Sequence, residues 1–89
     1  MTFRDFCEAI GDGVLSCVPA ARYQPPRELG DAATISLGGA KATISREKSG
    51  WRVAFVRSGG VTSMAPLAGR TVDTATAENL AGSIAGFLI

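Results

Sequence analysis

Histidine does not occur among the 89 residues of this chain. Its absence removes the commonest general base at neutral pH together with the commonest metal ligand. Cysteine occurs only as Cys7 and Cys17, too few for a zinc site built from such ligands. Both fall in a segment with helical periodicity, about 15 Å apart along the axis, out of disulfide reach. Reduced thiols packed as small hydrophobes are therefore expected. Charge is scarce as well: 19% of residues are charged and the net balance is +1, which argues against holding nucleic acid by bulk electrostatics. No apolar run approaches the roughly 20 residues of a membrane span. Asp5, Glu8 and Asp12 interrupt the stretch that a signal peptide would keep apolar, so a cytoplasmic protein is expected.

These absences narrow the chemistry. Asp5, Glu8 and Asp12 recur at intervals of three and four, the mark of a solvated helix face rather than of a catalytic pair. A cysteine nucleophile would lack its usual imidazole base, and the serines lack theirs. The expectation is a protein that is not an enzyme, with no catalytic, cofactor-binding or metal-binding residue to assign and no cofactor.

What the chain does have is a middle third patterned for a sheet. Ala33-Thr34-Ile35-Ser36 recurs as Ala42-Thr43-Ile44-Ser45 around Gly38-Gly39, a pair suited to a two-residue hairpin turn. Ile35 is then expected opposite Ala42, and Ala33 opposite Ile44, each large aliphatic meeting a small one. A second hairpin with Ser49-Gly50 as its turn would set Glu47 against Arg52 and Ile44 against Phe55. Ala40, Ala42, Ile44, Trp51, Val53 and Phe55 fall on one face; Lys41, Thr43, Ser45, Glu47 and Arg52 fall on the other. Val56 falls on the polar side, and Arg57 is in phase with the core.

The flanks read as helices. Thr2 and Asp5 form a weak capping box ahead of a helix from Phe3 to Ser16, ended by Pro19. Gly11 and Gly13 within it point to close approach or to a break. The segment from Pro19 to Asp31, with Pro25-Pro26, reads as a crossing loop anchored by Tyr23. Ser58-Gly59-Gly60 signals a third turn, and Val61 to Met64 a short fourth strand. A helix starting at Asp73 or Thr74 carries Ala77, Leu80, Ala81, Ile84, Phe87 and Leu88 on one stripe. Gly82 and Gly86, four apart, suggest tight packing within the domain, with a homodimer through this helix as the alternative.

The expected architecture is a single α+β domain over residues 1–89: an N-terminal helix, a three- to four-stranded antiparallel meander and a C-terminal helix, with both helices on the apolar face. Function is expected to be the binding of a partner protein, one that is acidic or itself binds nucleic acid. Lys41 to Arg57 carry a local balance of +4, and the expected contact residues are Lys41, Arg46, Lys48, Arg52, Val56 and Arg57 on a basic outer sheet face. The alternative is a small DNA-binding domain reading duplex with that face. In size and composition the chain resembles the compact proteins by which phages and mobile elements block host machinery, such as inhibitors of CRISPR effector complexes. That likeness is one of genre, with no shared motif.

Overall fold

The computed structural model describes residues 1–26, 32–58 and 66–89. Helix α1 (Phe3–Cys17) begins where the Thr2 side chain accepts a hydrogen bond from the Asp5 amide at 3.1 Å, and it ends at Val18 ahead of Pro19. Five strands follow: β1 (Arg22–Gln24), β2 (Ala33–Leu37), β3 (Ala40–Glu47), β4 (Gly50–Arg57) and β5 (Leu67–Gly69). Helix α2 (Thr74–Leu88) closes the order, capped by Asp73, whose carboxylate accepts from the Thr76 amide at 2.8 Å. The strands form one antiparallel sheet in sequential order.

The α+β architecture is thus as expected, with five strands in place of three or four. The additional strands are both three residues long. Arg22–Gln24 lies inside the segment expected to be a crossing loop, where an edge strand is marked by little beyond Tyr23. Leu67–Gly69 is too short and too rich in small residues to show an alternation. The strand expected from Val61 to Met64 lies outside the described residues.

The first hairpin has the expected register, Ile35 against Ala42 and Ala33 against Ile44, with Gly38 in the left-handed region at φ +58°. The second differs. Its turn is Lys48-Ser49, so Glu47 pairs with Gly50, Ser45 with Arg52, Ile44 with Val53 and Ala42 with Phe55. The offset is two residues, which keeps every side chain on its expected face because the strand repeat is two. Gly50 is required for another reason: a Cβ there would run into the Gly69 carbonyl and lie 2.9 Å from the Arg70 Cα. The glycine lets β5 close onto β4; it does not make the turn.

Both helices pack on the face that carries Ala40, Ala42, Ile44, Trp51, Val53 and Phe55, all buried. Phe6 meets Trp51 with ring centroids 5.9 Å apart, and Phe55 meets Phe87 at 4.9 Å. Each large side chain so buried contributes about 1.5–3 kcal/mol. Close approaches are placed by glycine in α1: a Cβ on Gly11 would lie 2.8 Å from the Tyr23 ring, and one on Gly13 would lie 2.7 Å from the Ala81 Cβ. Gly11 and Gly13 therefore mark approach, not a break. The tight packing expected of Gly82 and Gly86 is absent: both are exposed, and nothing stands within 4 Å of where their Cβ atoms would be. Cys7 is buried, Cys17 is exposed, and both are free thiols. No helix among the described residues is long and apolar enough to cross a membrane.

Candidate functional site: the sheet layer and its hairpin tip

The strand registers fix which side chains share the open face of the sheet. One row across it runs Arg22, Ser36, Lys41, Val56; the next runs Gln24, Thr34, Thr43, Ala54; a third runs Ser45, Arg52, Ala68. Its middle is paved with small side chains, and its cations stand toward the margins. Neither helix covers this face, since both lie on the other. Val56 is 43% exposed, in keeping with its position on the polar side.

The six expected contact residues are not brought together on one face. Lys41, Arg52 and Val56 lie on the open face. Lys48 lies in the turn between β3 and β4. Arg46 is paired with Trp51 and so points to the helix side, where its guanidinium carbon is 5.9 Å from the Phe3 ring centroid. Arg57 is paired with Ala40, also on the helix side. Its Nη2 donates to the Phe87 carbonyl at 2.7 Å, and its guanidinium carbon sits 4.6 Å from the Phe87 ring centroid. Arg57 thus caps the C-terminal end of α2, where the unpaired carbonyls of a helix attract a cation. That role accounts for its core phase in the sequence. A basic outer face built from all five cations is accordingly not what the chain forms.

On the open face Arg52 is engaged as well. Its Nε lies 2.8 Å from Glu47 Oε1, a diagonal neighbour in the observed register, with both side chains about half exposed. Such a pair contributes only about 0.2–1 kcal/mol, so a stronger ligand could compete for the arginine. Trp51 is core, 6% exposed. Its indole Nε1 donates to the Thr71 carbonyl at 2.8 Å, tying the chain that follows β5 to the sheet.

That tie brings in a residue the sequence pattern does not single out. Arg70 follows Gly69 directly, and Gly69 rests on the Trp51 ring so closely that a Cβ would lie 2.5 Å from it. Arg70 is exposed and lines two open depressions that meet at Gly50. The first, on the open-face side, also holds Glu47, Trp51, Arg52 and Ala68. The second, on the helix side, holds Phe3, Arg46, Glu47, Lys48 and Val72. The tip of the β3–β4 hairpin is therefore ringed by Arg46, Lys48, Arg52 and Arg70, with Glu47 the sole acid among the residues lining the two depressions. Arg22 on the open face is likewise a cation the sequence pattern leaves inside a loop.

Taken by layer, the charge divides. Among the described residues, the strands and the segments beside them carry Arg22, Lys41, Arg46, Lys48, Arg52, Arg57 and Arg70 against Glu47, a balance of +6. The helices with their caps carry Asp5, Glu8, Asp12, Asp73 and Glu78 against Arg4, a balance of −4. Among the described residues no group of three or more Cys, Asp or Glu stands close enough to hold a metal ion. No protein-family model, curated protein or solved structure matches the chain.

Proposed function

We propose that this domain is a non-enzymatic binding module that presents its basic sheet layer to an acidic protein surface in the cytoplasm. The observation that carries the reading is the division of charge: in a chain with a net charge of only +1, the described residues of the sheet layer sum to +6 and those of the helix layer to −4. Segregated charge of this kind orients a molecule as it approaches its partner and repels wrongly placed ones. Such a module acts by occupying its partner's surface, and inhibition of a host assembly is the role that mode of action fits.

Duplex DNA is the weaker candidate for the same layer. The major groove admits a helix or a two-stranded ribbon, whereas this open face is five strands wide. Its cations are Arg22, Lys41 and Arg52, the last already joined to Glu47. The test is a pull-down from cells that carry the gene, beside retention on random duplex at low salt. A discrete protein recovered by the wild type, lost with Lys48→Glu plus Arg52→Glu and kept with Asp5→Lys plus Asp12→Lys, is the expected result. Recovery that survives the first pair and fails with the second would move the contact to the helices. Retention on duplex that falls steeply with salt would favour DNA.

A further inference from the structure

The hairpin tip has a built side and an exposed side, and together they define what it can hold. On the built side, Arg70 is fixed from both directions. Gly69 before it packs closely against the Trp51 ring, and the Thr71 carbonyl after it accepts the Trp51 indole N–H at 2.8 Å. Gly50 leaves the room its backbone occupies. A surface arginine whose neighbours are both pinned to a core tryptophan loses less freedom on binding than one on a mobile loop. On the exposed side, the depression beneath it has apolar walls, Phe3 and Val72, and a rim of Arg46, Lys48 and Arg70, with Glu47 the only acid. Arg46 already lies over the Phe3 ring, which holds its guanidinium near the mouth. Arg46, Lys48 and Arg70 have no ion-pair partner among the described residues.

We infer that this depression is the docking point for an acidic peptide segment carrying one large apolar side chain, its carboxylates meeting Arg46, Lys48 and Arg70 while the apolar group lies against Phe3 and Val72. The inference rests on the proposed role of the sheet layer in binding acidic protein, and it narrows that role to one end of the layer. Two features select the occupant. Three cations around an apolar wall match alternating carboxylates and one hydrophobe, and guanidinium groups pair with carboxylate through two parallel hydrogen bonds. A polyphosphate backbone supplies no group for the Phe3 and Val72 wall.

The probe is a labelled twelve-residue Glu/Asp peptide with one central Phe, compared with the same peptide bearing Ser at that position and with a twelve-base-pair random duplex. Anisotropy at low salt is expected to show the Phe peptide binding at least about fivefold tighter than the Ser peptide, the gap closing in Phe3→Ala. Arg46→Glu with Arg70→Glu is expected to weaken the Phe peptide by tenfold or more, and Lys48→Glu alone, in a turn where folding is undemanding, by several-fold. Circular dichroism checks that each variant folds. Reversal at Arg22 and Lys41, on the open face, should change binding less than twofold. Failure of the wild type to bind the Phe peptide overturns the inference, as does equal binding by the reversed variants or tighter binding of the duplex. Should the partner recovered in the pull-down be kept by Arg46→Glu/Arg70→Glu and lost by Arg22→Glu/Lys41→Glu, the sheet-layer reading stands and this site falls.

Discussion

At the scale of single residues, arginine does three different jobs in this chain, and only the structure separates them. Arg52 spans two strands to reach Glu47 in the open, Arg70 stands over the hairpin tip, and Arg57 closes a helix. Sequence periodicity places Arg57 in phase with the core, yet the residue stays exposed, reaching along the helix-side margin of the sheet to a backbone partner. The partner is the backbone of Phe87, thirty residues away, and no local pattern can name it. Arg57→Ala removes a hydrogen bond to a helix terminus and a contact with the Phe87 ring. A loss of about 1.5–3 kcal/mol is expected, read as a lower urea midpoint with the slope unchanged. Arg57→Lys keeps the charge and should recover part of it, since an ammonium lacks the planar surface that lies over the ring. Equal stability of Arg57→Ala and wild type would show that the cap is idle.

At the scale of elements, glycine marks where backbones and rings come close, and the neighbours decide what a methyl group would do. Gly69→Ala pushes a Cβ to 2.5 Å from the Trp51 ring, and Gly13→Ala pushes one to 2.7 Å from Ala81. Each is expected to cost about 1–3 kcal/mol. Gly82→Ala and Gly86→Ala enter open space on an exposed helix face and should each stabilise α2 by about 1 kcal/mol. For a domain of this size 1 kcal/mol moves Tm by about 4–8 °C, so a melting series separates the two groups by sign. An elution volume that shifts toward a smaller species in Gly82→Ala would instead reveal a dimer through that helix. This contrast also shows what was legible in the chain. The strand alternation, the capping of both helices by Thr2 and Asp73 and the stripe from Ala77 to Leu88 are local signals, and they place the core correctly. The two three-residue strands carry too few side chains to show a period, and the second hairpin's register follows from where β5 needs Gly50. The site was legible only in part for the same reason: Lys41, Arg52 and Val56 follow from alternation. Arg46 and Arg57 are turned to the helix side by their register, and Arg70 is placed by Trp51.

For the molecule as a whole, titration gives its stability a lopsided pH profile. Burial pushes the Cys7 thiol up from an ordinary 9.0 to about 12, with the Glu8 carboxylate adding to the shift. Burial likewise raises the Tyr23 phenol from 10.0 to about 12, with Cys7 and Glu8 contributing and Arg4 opposing. The Tyr23 Oη atom is buried with no hydrogen-bond partner among the described residues, so its ionised form would have no hydrogen bond to stabilise it. Both groups hold their protons more tightly folded than unfolded. Their contribution is fully present below about pH 9 and is lost as pH rises toward 12, at about 1.4 kcal/mol per pH unit for the Cys7 thiol. On the acid side Asp73 is held below its ordinary value by its hydrogen bonds to Thr76, an exposed cap whose stabilisation fades as pH falls through that lowered value. Urea midpoints measured from pH 8 to 11 should therefore fall steeply, and Cys7→Ala should flatten the fall whatever its stability at pH 8. An unchanged slope in that variant would mean the thiol does not sense folding.

Among the described residues the sheet joins only sequence neighbours, so each strand can add to the last as the chain leaves the ribosome. The helices cannot follow that order, because the apolar stripe of Phe6, Ile10 and Val14 shares its core with residues 77–88. During synthesis α1 is consequently made before the sheet yet fully sheltered only after it, and its greasy side stays available to chaperones, or to another nascent copy, until α2 has emerged.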